Sequence, residues 1–250
     1  MDKGYWINRR SIRNFLTKDV DDAILFDLIG KAAKAPTTGN MQLYSVIITR
    51  DEARRKQLAE CHFNQPASKA PVLLTVTADF NRFEKWCRQR GAKPGFDNFE
   101  SFVAALLDAV IFTQQLNTLL ELNGLGCCYL GTATYTASRI GEMLKLPRLV
   151  VPVTSLAIGW PADNGVETDR LAPGALIHHE VYDDYTEDRI DEIYAPKEAL
   201  EENKAYVREN SKPSLAHVFT DIRYPEKNAL AFSKDFYEYI KKQGFSFPEK

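Results

Sequence analysis

The sequence predicts an α+β fold, a mixed central sheet flanked by helices. Segments with apolar residues at three- and four-residue spacing alternate with short apolar runs of strand length, and the helical segments outnumber the strands. One of them, Phe99 to Leu122, is long and apolar enough to be the helix on which the others pack. A chain of 250 residues with 44% hydrophobic and 26% charged side chains also carries enough apolar material for one sizeable core or two small ones.

The first helical pattern runs from Asp19 to Lys34. Ile24, Leu25, Leu28, Ile29 and Ala32 recur there at helical spacing, and Asp19, Asp21 or Asp22 is placed to cap its start. Ala35-Pro36 stops it, because proline disfavours helical geometry in the preceding residue. Thr37-Thr38-Gly39-Asn40 then reads as a polar loop whose N–H groups and hydroxyls can point at a ligand, leading into a strand at Tyr44 to Thr49. Asp51 to Cys61 follows as a short polar helix, His62 to Pro66 as a loop, and Ala70 to Thr77 as a buried strand. Residues 80 to 98 read as an irregular, partly helical excursion.

Phe99 to Leu122 is the longest periodic segment, closed by Asn123-Gly124 as a left-handed cap. Apolar residues ring most of its circumference, which suits either the centre of a core or a subunit interface. Gly126 to Gly131 reads as a short strand ending in a glycine turn. A helix through to Pro147 comes next, then a strand from Val150 to Ile158 that Gly159-Trp160-Pro161 ends abruptly. From Thr186 the pattern is charged and helical, too poor in apolar residues for a core of its own. The expected organisation is a site-bearing domain over residues 1–185 and a helical extension over 186–250 that wraps another surface, such as a second subunit.

The 32 basic and 34 acidic side chains leave a formal charge of −2, which argues against nucleic acid or an anionic membrane as the main partner. No apolar leader precedes Arg9 and no uninterrupted apolar run has the length of a bilayer crossing, so the expected compartment is the cytoplasm. Cys61, Cys87, Cys127 and Cys128 lack a CxxC or zinc spacing and read as reduced structural thiols. His178-His179 and Cys61-His62 also lack a metal spacing, so no metal is expected. No GxSxG, P-loop or GxGxxG pattern is present.

Inside this nearly neutral chain, Arg9-Arg10-Ser11-Ile12-Arg13 concentrates three arginines and a serine in five positions. Like charges repel, and each guanidinium fork prefers a carboxylate or phosphate, so an anion is expected beside them. A small anionic ligand meets that need; so does a surface turn paired with Asp19, Asp21 and Asp22.

Four motifs in register resemble the FMN-dependent nitroreductase family, above all its larger NADPH-preferring branch of nitroreductases and flavin reductases. They are the basic turn, Pro36 to Gln42, Tyr129-Leu130-Gly131, and Gly159-Trp160-Pro161 to Arg170. The resemblance implies that Arg9, Arg10 and Ser11 bind the FMN phosphate and that Arg13 lies near N1 and O2 of the ring, where a cation stabilises the reduced flavin. It implies that Pro36, Thr37, Thr38, Asn40 and Gln42 cover the ring from the partner subunit of a homodimer. Gln65 matches a flavin-contacting glutamine. Tyr129, Leu130 and Gly131 match the turn over one ring face, with Thr132 where relatives often have a second glycine. Arg170 matches a distal phosphate-binding arginine, and Thr168 replaces a lysine two residues before it.

The implied activity is hydride transfer from NADPH or NADH through FMN to a small oxidised acceptor such as a nitroaromatic, a quinone or free flavin, with ping-pong kinetics and no catalytic side chain. Arg208, Lys212 or Arg223 could meet a 2′-phosphate, or be solvated helix charges. A flavin-dependent dehalogenase-type reductase, a flavin-storing or sensing module without turnover, and a plain anion-binding scaffold are the alternatives.

Overall fold

The computed structural model describes residues 3–248, which pack as two compact units. The first runs to Val166 and resumes at Phe232; the second is Glu167–Ala231.

The first unit is built on a four-stranded sheet of β1 (Tyr44–Thr49), β2 (Val72–Asp79), β3 (Gly126–Leu130) and β4 (Val150–Gly159), in the order β1-β2-β4-β3. Every hydrogen-bonded pair is antiparallel, which corrects the expectation of a mixed sheet. β3 runs parallel to β2, the direction that strand–helix–strand alternation suggests, but β4 inserts between them and pairs antiparallel with both. β2 and β4 are buried along their whole length, as their near-continuous apolar sequences require.

Side chains alternate across the sheet, so Val72, Leu74 and Val76 enter one apolar cluster and Leu73 the other. Helix α5 (Phe99–Leu122) fills the larger cluster. Phe102, Ala105, Ala109, Phe112, Leu116 and Leu120 turn inward at spacings of three and four, and Phe112 stacks on Tyr44 with ring centroids 4.4 Å apart. By length and composition α5 could cross a bilayer; here its buried face packs on α2 (Asp22–Ala32) and on all four strands. Asn98 caps its start by accepting the Ser101 N–H at 3.0 Å, and Gly124, at φ +82°, ends it in the left-handed conformation foreseen. The core reading of its apolar circumference holds for this inward face, while Leu107, Val110 and Ile111 remain 54, 44 and 43% exposed.

Asp21, among the three foreseen candidates, caps α2 by accepting the Ala23 N–H at 2.7 Å. Helices α3 (Glu52–Cys61) and α6 (Ala137–Met143) cover the smaller cluster. The segment read as irregular contains α4 (Asn81–Gln89), started by the Asp79 carboxylate, which accepts the Asn81 and Arg82 N–H groups. Helix α1 (Lys3–Asn8) has no periodic signal in the sequence and is fixed by a long-range contact at Tyr5.

In the second unit, α7 (Glu187–Glu198) starts at Thr186, whose hydroxyl accepts the Arg189 N–H. α8 (Glu201–Glu209) and the short α9 (Leu215–His217) follow. Its buried side chains, among the described residues, are few: Ala175, Asn203, Leu215 and Val218. Helix α10 (Glu226–Lys242) ends within the first unit, where Tyr239 and Ile240 are buried and Gln243 donates to the Val150 carbonyl at 2.8 Å.

Candidate cofactor site

The basic turn follows α1 and lies along β3, at one edge of the sheet. The Ile12 N–H donates to the Cys127 carbonyl at 3.1 Å, and the buried Ile12 side chain occupies the space left by Gly126. A Cβ at Gly126 would stand 2.7 Å from Ile12 Cγ2, so only glycine lets the turn come this close. Ser11 bridges to Val166 and Phe15 to Pro161.

Arg9 Nη1 meets Glu121 Oε1 at 3.1 Å, while Tyr5 donates to the other carboxylate oxygen at 2.5 Å. Burial, and then the Glu121 carboxylate, push the Tyr5 phenol up to about 12, so it stays protonated. The acidic trio considered for this turn is engaged elsewhere. Arg50 takes Asp19 and Asp22, both at 2.7 Å, and Asp21 caps α2. Arg13 points to solvent, and both Arg9 and Arg13 lie near enough to Cys128 to oppose the upward push that burial gives its thiol. The turn along β3 therefore presents the exposed Arg13 and a partly exposed hydroxyl at Ser11 beside the Arg9–Glu121 pair.

Past Tyr129 and Leu130 the chain makes a single turn at Gly131–Ala133. A Cβ on Gly131 would meet nothing within 4 Å and its φ is not positive, so the fold itself leaves open space over this turn. The neighbouring Thr132 Oγ1 is met from two sides, by Gln65 Nε2 at 3.2 Å and His62 Nδ1 at 2.9 Å. His62 is fully buried, and desolvation lowers its pKa to about 4, so the ring is neutral near pH 7. Its Nε2 is buried without a hydrogen-bond partner. Phe63 and Asn64, the residues between these two side chains, have φ of +56° and +52°. For a bulky residue such as Phe63 that backbone costs about 1–3 kcal/mol, and it lets both flanking side chains reach one hydroxyl.

The Pro36–Gln42 loop is held differently. Gly39, Asn40 and Gln42 all have positive φ, and the buried Asp108 carboxylate of α5 fixes the loop. It accepts the Thr38 N–H at 2.8 Å, the Thr38 hydroxyl at 2.9 Å and the Leu43 N–H at 3.1 Å. Arg82 donates to the Gln42 carbonyl. This loop enters β1, the edge opposite β3, three interstrand steps or roughly 14 Å away. Asp108 and Glu121 are also 13 positions apart on α5, about 20 Å along its axis. One chain thus brings Arg9, Ser11, Arg13, Tyr129, Leu130, Gly131, Thr132 and Gln65 to the β3 side, and sets Pro36, Thr37, Thr38, Asn40 and Gln42 apart from them.

Arg170 belongs to the second unit, where its Nη1 donates to Thr168 Oγ1 at 2.6 Å and to the Asp169 carbonyl at 2.8 Å. Lys212 is paired there with Asp221 at 2.9 Å, and the Arg223 guanidinium lies 4.6 Å from the centre of the Tyr206 ring.

Asp108, Glu121 and the hydrogen-bonding role of His62 escape a reading of the sequence alone. The available signal was an acid interrupting an otherwise apolar helix face, at Asp108 and again at Glu121.

A four-stranded antiparallel sheet with a long core helix, and an arginine-rich turn against its edge strand, define an α+β scaffold with a candidate anion site at one sheet edge. The chain belongs to the nitroreductase family, whose model matches residues 7–160. It is 31% identical over 250 residues to an FMN reductase (NAD(P)H) of Bacillus subtilis strain 168, covering 95% of each chain. A solved chain from Bacteroides fragilis NCTC 9343 superposes with a TM-score of 0.95 at 45% identity, over 97% of this chain and 99% of that one. The NfrA1 nitroreductase from B. subtilis gives a TM-score of 0.83 at 25% identity, over 98% of each chain.

Proposed function

We propose that this chain is an FMN-dependent NAD(P)H oxidoreductase that works as a homodimer in the cytoplasm. The observation that carries the reading is the β3 edge: a cationic turn fixed by Glu121 and Gly126, continuous with an open glycine turn. These donors fit FMN, whose phosphate needs cations and hydroxyls and whose planar ring needs a backbone surface without side chains. Arg9, Arg10 and Ser11 hold the phosphate, and Arg13 keeps positive charge near the pyrimidine edge. Tyr129, Leu130 and Gly131 carry one ring face, with Thr132 and Gln65 at its margin.

Bound FMN supplies the redox chemistry, accepting hydride from NADPH or NADH and passing electrons to a small oxidised acceptor, a nitroaromatic, a quinone or free flavin. The polypeptide supplies position and charge. The placement of the two sets of residues supports the dimer: the Pro36–Gln42 loop enters β1, at the sheet edge opposite the one that carries Arg9, and serves the partner's flavin instead. The exposed Leu107, Val110 and Ile111 stripe, beside Asp108 on α5, is the surface proposed to pair the subunits. The near-zero net charge supports a small-molecule enzyme over a nucleic-acid or membrane partner.

An absorbance spectrum of the freshly purified protein, before and after NADPH, tests this reading. A flavin band that bleaches with NADPH and returns with a quinone or nitroaromatic is expected. A colourless protein that declines added FMN overturns it, and a yellow protein that oxidises neither nicotinamide makes it a storage module.

A further inference from the structure

The hydroxyl of Thr132 has two described partners, Gln65 Nε2 at 3.2 Å and His62 Nδ1 at 2.9 Å. A hydroxyl offers two lone pairs and one proton, and the glutamine amide nitrogen can only donate, so Gln65 occupies one lone pair. What remains depends on the tautomer of His62. If Nδ1 accepts, the ring's proton sits on Nε2, buried without a partner. If Nδ1 carries the proton, Nε2 presents only a bare lone pair to the same dry surroundings. Orphaned buried N–H groups are the rarer defect, so the Nδ1–H tautomer is favoured. Both lone pairs of Thr132 are then filled from inside the protein, and its own proton is directed outward. The left-handed Phe63-Asn64 pair that ends α3, where the Asn64 N–H donates to the Ala59 carbonyl at 2.8 Å, also brings the two donors together.

We propose that Thr132 is a hydrogen-bond donor to an acceptor atom on the edge of the flavin ring, with His62 and Gln65 as positioning residues that fix the direction of its proton. The inference rests on the flavin reading above. It makes a side-chain hydroxyl, in addition to the backbone of the turn, a determinant of how strongly the oxidised and the reduced ring are held. A donor of fixed orientation distinguishes the two because their edge atoms differ in charge and in protonation.

The test compares wild-type protein with Thr132→Val, Thr132→Ser, His62→Leu and the double variant Thr132→Val with His62→Leu. Each is loaded with FMN, and the readouts are FMN affinity by fluorescence quenching, the visible absorption band and the flavin midpoint potential. Thr132→Val is expected to bind FMN but to change the ratio of its affinities for oxidised and reduced flavin about tenfold, which for a two-electron couple is about 30 mV. The absorption band should move with it. Thr132→Ser should keep the wild-type values. His62→Leu should move them in the same direction as Thr132→Val, and the double variant should go no further than Thr132→Val alone, because the two act as one unit. If His62→Leu does not fold, the valine and serine pair decides. FMN-loaded Thr132→Val with wild-type spectrum and potential overturns this inference and leaves the flavin reading standing. Failure of the wild-type protein to take up FMN overturns the flavin reading, and the inference with it.

Discussion

Arg9 Nη1 and Glu121 Oε1 lie 3.1 Å apart, joining the turn that follows α1 to the last residues of α5, 112 positions later in the chain. The carboxylate side chain is 8% exposed and the guanidinium 31%, so the pair stands between solvent and core. A half-buried cation aimed by a buried anion keeps its remaining donors oriented for a ligand.

Replacing Glu121 with Gln should therefore weaken FMN binding without touching FMN. The expected stability loss is about 1.5–3 kcal/mol, the usual worth of hydrogen bonds to a charged group, measured by urea unfolding. Arg9→Ala should weaken FMN binding by about tenfold or more, most clearly at low salt, measured by flavin fluorescence. Equal FMN affinity in both variants and wild type would remove this turn from the phosphate site.

Asp108→Asn should loosen the Pro36–Gln42 loop. The carboxylate accepts three donors, and an amide in its place turns an N–H group toward at least one of them. One buried donor left unsatisfied costs about 1–3 kcal/mol. Faster hydrogen exchange at Thr38 and Leu43 would register the release, and unchanged protection there would contradict it.

His62 makes stability depend on pH. Burial depresses its folded-state pKa from 6.5 to about 4, so the unfolded chain binds more protons between those values. The stabilisation is fully present above pH 6.5 and is lost as pH falls towards 4, on the order of 3 kcal/mol in all. Urea unfolding at pH 7, 5.5 and 4.5 measures the slope. His62→Gln should flatten it over this window.

In the proposed homodimer, Leu107→Lys together with Ile111→Lys should separate the subunits. These side chains are half exposed on α5, so the substitution costs a monomer little while it would bury two ammonium groups at the proposed contact. Sedimentation velocity should show a monomer that has lost flavin. A stable, yellow dimer would place the subunit contact elsewhere.

The elements easiest to read were those whose signal is local. Tyr44–Thr49 and Phe99–Leu122 fall where the pattern placed them, because alternation, periodicity and caps are encoded in adjacent residues. The sheet's directions were less legible, since the insertion of β4 between β2 and β3 is decided by packing. Helix α4 was obscured by its charged residues and the glycines that follow it. Within the candidate site, the basic turn could be singled out by composition, whereas the Gly131 turn read only as the end of a strand until the family resemblance gave it a role. Their supports could not, because Arg9 and Glu121 are 112 positions apart and His62 and Thr132 are 70 apart.

The placement of Asp108 near the middle of α5 and of Glu121 at its end has a genetic consequence. In the proposed dimer, a subunit lacking Arg9 spoils its own pocket, whereas one lacking Asp108 spoils its neighbour's. Mixed pairs of the two defective chains concentrate both lesions in a single pocket and leave the other whole. Co-expressing Arg9→Ala and Asp108→Ala, each dark when made alone, should then restore colour to the hybrid, a complementation that two copies of either lesion can never achieve.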